Sequence, residues 1–359
     1  NLSGFLPKIS ASTTSSHSSS QNNSSSQSYS AQLSLSQNLF AGFADIHNYY
    51  LKKTTTQQAL ANLNSAKAKL SQEIKQNYTE VLYIQDYKKL VHDILNRRTE
   101  NNLNVKLQYE VGRENKGSLL LAQSYIDQAD FDVLKTTHDE DLYKENLKRL
   151  LGLSPEESLI LTDSIPKEDV PKSNPDFNLI ASQHPDILNA ILEETIALYN
   201  YKTSRSQFLP TLDLTSSYGY SGDHFFPDQN KWNIGLTLSI PLFEGFKTIS
   251  SYKSAGSKFE AQRLTSLNTR LKITSTIKQT FYEYLQSIQK EKNDASFVKA
   301  ATLRAEIARN KYKNGLLNFE DWDLIETDLI QRQKEMLNSQ KNRIIKHSLW
   351  ERAQGIGVF

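Results

Sequence analysis

The chain has 359 residues, a formal net charge of +2, 38% hydrophobic residues and no cysteine. The absence of cysteine excludes disulfides, thiolate catalysis and cysteine-based metal sites. The almost neutral charge, with no basic stripe interleaved with aromatic residues, argues against nucleic-acid binding.

Residues 1–43 are predicted to be a β-hairpin, although their Ser, Thr, Asn and Gln content is also typical of a flexible linker. The prediction comes from an internal repeat with an offset of 203 positions, since the same segment recurs with clearer alternation as residues 208–246. The matched pairs include Phe5–Pro7 and Phe208–Pro210, Leu33–Ser36 and Leu236–Ser239, Phe40–Phe43 and Phe243–Phe246, Tyr109 and Tyr312, Gly112 and Gly315, and Gly152 and Gly355.

Residues 44–152 are predicted to form a long helical hairpin. No proline interrupts the first arm from about Ala44 to Tyr109, which would be about 100 Å long at ~1.5 Å per residue. This arm ends at Gly112, which suits a left-handed C-terminal cap, and a shorter second arm runs to Gly152. Apolar residues spaced by three, four and seven positions indicate a narrow coiled-coil seam. The seam residues are Leu63, Leu70, Ile74, Val81, Ile84, Val91 and Ile94.

Residues 153–175 carry prolines and mixed polar residues and are predicted to be a connector. Residues 176–207 are predicted to be a helix that opens the second copy. The first copy has only Asn1–Gly4 ahead of its Phe-Leu-Pro motif. The sequence therefore predicts a further helix of roughly 20–30 residues and a signal peptide ahead of residue 1 in the natural protein.

Residues 208–246 are predicted to be a second β-hairpin, because two runs alternate between apolar and polar residues. The apolar set fits either the core of a soluble β-sandwich or a lipid-facing surface. The very polar alternating partners favour lipid on one side and water on the other. The predicted lipid-facing residues are Leu212, Leu214, Trp232, Ile234, Leu236, Leu238 and Ile240.

Phenylalanines mark the change from strand to helix in both copies. They fit either an interfacial aromatic belt or plain packing at the junction, and the sequence leaves both explanations open. These residues are Phe40, Phe43, Phe243 and Phe246.

Residues 247–359 are predicted to repeat the helical hairpin, with the turn at Gly315. The corresponding seam carries Leu264, Leu267, Leu271, Phe281, Tyr284 and Ile288. The seven histidines show no metal-like spacing, and neither a phosphate-binding loop nor a Gly-x-Ser-x-Gly elbow is present. The sequence therefore predicts no enzyme, no cofactor and no metal site.

The order, duplication and spacing of several motifs resemble the TolC-like outer-membrane efflux and secretion channel family. Each motif is weak alone. His184 stands where the family usually has Arg, and Ser118 stands where the first hairpin tip often has Asp. The motifs are Phe208–Leu212, Leu238–Phe246, His184–Ile187, Tyr109-x-x-Gly112 followed by Leu120–Gln123, and Leu150–Leu153.

The resemblance implies a mainly α fold with a membrane β-barrel part. Each chain would give four strands to a trimeric twelve-stranded barrel and its long α-helical hairpins to a coiled-coil barrel. A physical argument that does not depend on the resemblance also indicates that several chains share one barrel. Four strands cannot close a barrel, and open strand edges are not tolerated in lipid. A barrel of twelve strands would leave room for an aqueous channel.

The implied function is a passive conduit from periplasm to exterior in the outer membrane of a Gram-negative bacterium. It would serve a tripartite efflux pump or a type I secretion system. The implied partners are the other copies of a homotrimer, a periplasmic adaptor, an inner-membrane transporter and outer-membrane lipid. Two alternatives are a periplasmic coiled-coil adaptor and a structural coiled-coil protein. Two amphipathic hairpins separated by a full helical module argue against both.

The resemblance also implies that the hairpin tips form the closed periplasmic entrance and the docking surface for the adaptor. Asp321 matches a tip aspartate that constricts the pore in some members, and three copies would form a cation-selecting carboxylate ring. Helix capping by Asn318, with Asp321 three residues later, also explains this spacing, and Glu320 and Asp323 are nearby alternatives to Asp321. The predicted tip residues are Tyr109, Gly112, Tyr312, Gly315, Asp321 and Asp323.

Overall fold

The computed structural model of the chain describes residues 3–19, 25–162, 165 and 175–357. These residues confirm a mainly helical fold with four antiparallel strands in two repeats. The elements are β1 (Lys8–Ser19), β2 (Ser25–Ala41), α1 (Ala44–Glu110), α2 (Lys116–Leu151), α3 (Phe177–Ser182), α4 (Pro185–Ser206), β3 (Thr211–Gly222), β4 (Gln229–Ser239), α5 (Lys247–Lys313) and α6 (Phe319–Ala353).

The two repeats have nearly identical helix lengths and first-strand lengths, whereas the second strand has 17 residues in β2 and 11 in β4. The helices α1 and α5 each have 67 residues, so each is about 100 Å long by the helix rise. The strands β1 and β3 each have 12 residues, while α2 and α6 have 36 and 35 residues. The repeat seen in the sequence is therefore a repeat of strand, strand, long helix and shorter helix.

The chain divides into two compact units. One unit comprises Asn1–Leu63 and Pro185–Leu271, and it contains the strands, α4 and the first part of each long helix. The other comprises Asn64–His184 and Lys272–Phe359, and it contains α2, α3, α6 and the rest of the long helices.

The single helix expected over residues 176–207 is two helices, α3 and α4. The break falls at Gln183 and His184, directly before Pro185. Proline has no N–H for the helical ladder and disfavours helical backbone in the residue before it, so α3 ends there and Pro185 starts α4. Of the expected connector at 153–175, residues 163, 164 and 166–174 lie outside the described residues.

The strand β4 ends one residue earlier than expected, so Ile240 lies outside it. The last pair of the β3–β4 ladder is Thr211 with Ser239. The next position on the β3 side is Pro210, which has no N–H to donate, and Pro241 follows Ile240. Two prolines therefore end the ladder at this point.

The predicted coiled-coil seam is buried along only part of its length. In the unit that contains the hairpin tips, Val81 and Phe281 are almost completely buried. Leu63, Leu264 and Leu271 in the other unit are more than half exposed. The spacing predicted the helices correctly, but it predicted burial correctly only where this chain supplies the opposing side chains.

Candidate functional site

All four strands share one apolar face. The sheet order is β1-β2-β3-β4, and its register places Leu33 opposite both Ala11 and Tyr218, and Tyr218 opposite Trp232. Because side chains alternate along a strand, directly opposed residues share a face. The apolar residues of this face are Ile9, Ala11, Tyr29, Ala31, Leu33, Leu35, Leu212, Leu214, Tyr218, Tyr220, Trp232, Ile234, Leu236 and Leu238, and the same face also carries the polar residues Thr13, Ser15, His17, Gln27, Gln37, Ser216 and Asn230.

The opposite face of the same sheet is mostly polar. Its residues include Ser10, Ser12, Thr14, Ser16, Ser30, Ser34, Asn38, Asp213, Thr215, Ser217, Lys231, Asn233 and Thr237. The apolar side is uncovered, since Trp232 is 73% exposed and Leu236 is 63% exposed. A soluble β-sandwich needs a second sheet over such a face, and the described residues form this one sheet.

The outer edges of β1 and β4 have no strand partner within the described residues. Each edge presents a row of backbone N–H and C=O groups that is available for pairing. An uncovered apolar face with two open edges is incomplete by itself. The part of the sheet built by one chain can be completed by strands of further chains.

The strand-to-helix junctions adopt the same unusual backbone in both repeats. Gly42 and Phe43 have φ values of 58° and 69°, and Gly245 and Phe246 have φ values of 60° and 68°. A phenylalanine rarely adopts this left-handed region. Phe43 contacts Phe40 edge to face at 5.2 Å between ring centroids, and the corresponding rings in repeat 2 lie 5.6 Å apart. These pairs support the packing explanation, while the exposure of Phe43 and Phe246 is compatible with an interfacial role.

The hairpin tips begin with a glycine cap that explains the Tyr-x-x-Gly spacing. Gly112 N–H donates to Tyr109 O at 3.0 Å, and Gly315 N–H donates to Tyr312 O at 2.9 Å. The next residue in each tip donates to the carbonyl five positions earlier, which completes a Schellman motif. Gly112 and Gly315 have φ values of 75° and 71°, in the left-handed region. The cap predicted from the glycines is confirmed.

Asparagines cap the helices that leave the tips. Asn115 Oδ1 accepts a hydrogen bond from Ser118 N–H at 2.9 Å, and Asn318 Oδ1 accepts one from Asp321 N–H at 2.7 Å. The cap therefore uses the backbone of Asp321. Its exposed carboxylate makes no ion pair within the described part of the chain.

The two tip tyrosines differ in environment. Tyr312 is 3% exposed and stacks on Trp322 with 4.1 Å between ring centroids. Burial, followed by the charge of Glu114, raises the pKa of the Tyr312 hydroxyl well above its usual range. Tyr109 is 38% exposed. The structure thus places one tyrosine in a core and the other at the surface.

Asp323 joins three helices near the tips. Arg98 of α1 donates to Asp323 Oδ1 at 2.9 Å, and the Tyr125 hydroxyl of α2 donates to its Oδ2 at 2.8 Å. The Arg98 guanidinium also lies 4.1 Å from the centroid of the Tyr125 ring and donates to Thr327. Burial and the hydrogen bond to Asp323 raise the pKa of Tyr125. Sequence reasoning missed Arg98 and Tyr125, because neither belongs to a motif or a repeated pair.

A second charged pair lies beside this contact. Arg309 donates to Glu326 Oε1 from Nη2 at 2.7 Å and from Nε at 3.2 Å. The Glu326 side chain is only 2% exposed. The tip of repeat 2 therefore combines a buried aromatic stack with two charged contacts that hold long and short helices together.

None of the described helices combines the length and the apolar composition needed to cross a bilayer. Within the residues that the structure describes, no group of His, Cys, Asp and Glu is arranged to hold a metal ion.

Comparison with known proteins identifies relatives along almost the whole chain. The family described as outer membrane efflux protein matches residues 2–153 and 177–347. The alkaline protease secretion protein AprF of Pseudomonas aeruginosa is 23% identical over 298 residues, which cover 79% of this chain. The matched region is 59% of the length of AprF.

Two solved structures illustrate the shared fold. The outer membrane protein VceC of Vibrio cholerae is similar with a TM-score of 0.84 and 18% identity, over 99% of this chain and 89% of that chain. The MtrE outer membrane channel of Neisseria gonorrhoeae, solved in its open state, gives a TM-score of 0.81 and 18% identity, over 99% of this chain and 82% of that one. At this identity the likeness shows the fold.

Proposed function

The chain belongs to the outer membrane efflux protein family, and from that premise we propose that it is the outer-membrane channel of a tripartite efflux pump or a type I secretion system. It is an outer-membrane protein with a periplasmic helical part. In this proposal it is a passive conduit that receives its cargo from an inner-membrane transporter through a periplasmic adaptor. The family description supports the efflux variant of the proposal, and AprF, named as a secretion protein, supports the secretion variant.

One observation carries the proposal: a four-stranded sheet with one apolar face, one polar face and two unpaired edges. In lipid every backbone hydrogen-bonding group needs a partner, so an open sheet must close into a barrel. Three copies would supply twelve strands, with lipid outside and water inside. Neither alternative, a periplasmic adaptor or a structural coiled-coil protein, needs such a sheet.

The repeat specifies how neighbouring copies pair. The repeat counterpart of β3 is β1, so β4 of one copy should pair with β1 of the next as β2 pairs with β3 inside the chain. Within the chain, Ser34 lies opposite Ser217. The counterparts of this pair are Thr237 and Thr14. We expect Thr237 of one copy to lie opposite Thr14 of the neighbouring copy.

The surroundings of two equivalent glycines support the same arrangement. A Cβ on Gly42 would lie 2.6 Å from Ser206 O and 2.8 Å from Leu209 Cβ, whereas a Cβ on Gly245 would meet no atom of the described residues within 4 Å. The repeat counterparts of Ser206 and Leu209 are Ser3 and Leu6. In the proposed trimer, Ser3 and Leu6 of the neighbouring copy fill the space beside Gly245.

A cysteine cross-link tests the register. The chain has no cysteine, so the double variant Thr14→Cys with Thr237→Cys introduces the only thiols. Residues directly opposite on paired strands have Cβ atoms about 4.5–5.5 Å apart, close to the separation that a disulfide needs. Mild oxidation should give a covalent trimer on a non-reducing gel.

The control variant pairs Ser10→Cys with Thr237→Cys. Ser10 lies four residues from Thr14 on the same face of β1, or about 13 Å away at the rise of a strand. This pair should not cross-link. Equal cross-linking of both pairs, or none of either in protein extracted with detergent from the membrane, would contradict the proposed assembly.

The hairpin tips are proposed as the periplasmic entrance and the adaptor-docking surface. Asp323 holds α1, α2 and α6 together through Arg98 and Tyr125, so the tips would open only when such contacts are broken. Binding of partners would shift the population toward the open state. The three Asp321 residues of a trimer would line the narrow entrance with carboxylates.

Planar-bilayer recordings distinguish a pore-lining role of Asp321 from a role at the helix end alone. Asp321→Ala should lower cation selectivity and weaken block by multivalent cations while trimer assembly is retained. The control is Asn318→Ala, which removes the cap at 2.7 Å but keeps the carboxylate. It should cost about 1 kcal/mol of stability without changing selectivity. Unchanged selectivity of Asp321→Ala together with lowered stability would assign Asp321 to the helix end alone.

A further inference from the structure

A recess lies at the junction between the sheet and the helices of repeat 1. Its volume is about 540 Å³, and it is lined by the turn between β2 and α1, the start of α1, the end of α4, the segment between α4 and β3, and one residue of α5. Phe43, Phe208 and Tyr252 form its aromatic wall, and Phe208 contacts Tyr252 edge to face at 5.8 Å. The Tyr252 hydroxyl is held by that of Tyr201 at 2.5 Å.

The polar lining of this recess is cationic. Lys202 and Arg205 line it from the last two turns of α4, and both side chains are exposed. In the part of the chain that the structure describes, neither makes an ion pair with a carboxylate, and no Asp or Glu lines the recess. Burial and the nearby charge of Lys202 lower the pKa of His47, which also lines the recess.

The recess is continuous with the apolar face of the sheet. Phe40 lies opposite Leu212 on that face, and its ring contacts Phe43 in the wall of the recess. Phe43 and Phe208 are 53% and 44% exposed. The junction lies between β2 and β3, the two central strands, whereas neighbouring copies are proposed to pair at the β1 and β4 edges.

We propose that this recess binds the headgroup of an anionic phospholipid in the periplasmic leaflet, with Lys202 and Arg205 holding the phosphate. The aromatic wall would pack against the glycerol and the first acyl carbons, which continue along the apolar face. Basic residues beside aromatic rings suit the membrane interface, where they meet negative headgroups and apolar chains together. This inference rests on the proposed function only in placing the apolar sheet face in lipid.

The residues that this chain contributes to the corresponding junction in repeat 2 are chemically different. The recess there is smaller, about 110 Å³, and Glu244 lines it with no Lys or Arg. The Glu244 carboxylate accepts a hydrogen bond from Thr248. Lys247 and Lys253 lie nearby on α5, are exposed and line neither recess. They provide a matched control with the same change in net charge.

Native mass spectrometry of the detergent-purified protein tests the proposal by titration with phosphatidylglycerol and phosphatidylcholine. Wild-type protein should prefer phosphatidylglycerol. The double variant Lys202→Gln with Arg205→Gln should bind it roughly 30-fold more weakly, at about fivefold per charge, and Lys202→Gln alone about fivefold more weakly. The control, Lys247→Gln with Lys253→Gln, should bind like the wild type. Inorganic phosphate at the same concentration should not displace the lipid.

Four outcomes would overturn the proposal. These are no preference of the wild type for phosphatidylglycerol, equal losses in test and control variants, displacement by inorganic phosphate, and lower heat stability of the Lys202 and Arg205 variants with unchanged lipid affinity. The last outcome would mean that these cations only stabilise the C-terminal end of α4. Trimer cross-linking measured on the same samples separates the two proposals, because a trimer that binds no anionic lipid leaves the channel function intact.

Discussion

The two repeats place the same local sequence in different surroundings. Gly42 and Gly245 have nearly the same backbone, yet only Gly42 is enclosed by another element of the chain. At the tips, Tyr312 is buried under Trp322, while its counterpart Tyr109 is exposed. Equivalent positions therefore share a conformation but not an energetic role. The difference lies in which neighbours the fold brings to each copy.

The largest expected difference in stability between the two repeats lies at the stack of Tyr312 on Trp322. Trp322 is 1% exposed, and Trp322→Ala should destabilise the tip of repeat 2 by about 3–5 kcal/mol, because a large cavity is left. Its counterpart Leu119 is half-buried, and Leu119→Ala should cost only about 1–2 kcal/mol. Hydrogen–deuterium exchange of both tips in the full-length protein measures the two effects. Equal losses of protection would show that the tips are energetically equivalent.

The glycine pair at the sheet junction should separate folding from assembly. Gly42→Ala adds a left-handed alanine and a contact 2.6 Å from Ser206 O, so it should cost about 3 kcal/mol and reduce the amount of folded chain. Gly245→Ala should leave the single chain folded but reduce trimer formation, since the clash comes from a neighbouring copy. Circular dichroism measures how much of the chain is folded, and cross-linking measures how much trimer forms. A normal trimer yield for Gly245→Ala would argue against the proposed neighbour contact.

A smaller contrast is expected between Asp323 and its repeat counterpart Leu120. Asp323→Asn leaves the nearly buried Arg98 guanidinium without a carboxylate and should cost about 2–3 kcal/mol. Leu120 is 59% exposed, so Leu120→Asn should change stability by no more than about 0.5 kcal/mol. Channel opening in bilayers is the second measurement, and we expect more frequent opening only for Asp323→Asn. The same opening frequency in both variants would mean that this contact does not hold the entrance closed.

The smallest effects should be equal in the two repeats. Asn115→Ala and Asn318→Ala each remove one capping hydrogen bond, at 2.9 Å and 2.7 Å, and each should cost about 1 kcal/mol. Thermal unfolding of both variants in detergent measures this loss of stability. A large difference between them would show that even the local caps depend on their surroundings.

Much of the fold was predictable from the sequence because it follows from local rules. Period-two alternation around Leu214 and Leu236 predicted the strands and the face of the sheet that each residue occupies. The glycines at the tips gave left-handed caps, since only glycine adopts that backbone without steric cost. The repeat then extended the strand prediction to the Ser-rich first copy, where alternation alone is too weak.

The site was less predictable, because its contacts join residues that are distant in sequence. The carboxylate of Asp323 meets Arg98 and Tyr125 across more than 190 positions, and no periodicity encodes such a meeting. The recess beside Gly42 likewise depends on Lys202 and Arg205, which have no motif. The break before Pro185 was missed although the signal was present, since proline forbids a continuous helix there.

The sequence by itself determined the type of each element, the phase of the strands and the positions of the caps, because these depend on steric limits within a few residues. Only the tertiary structure decided that Tyr312 and not Tyr109 is buried, and that Gly42 and not Gly245 is enclosed. Both members of each pair obey the same backbone rules. Burial instead depends on which distant side chains pack against each copy, and that is a property of the whole fold.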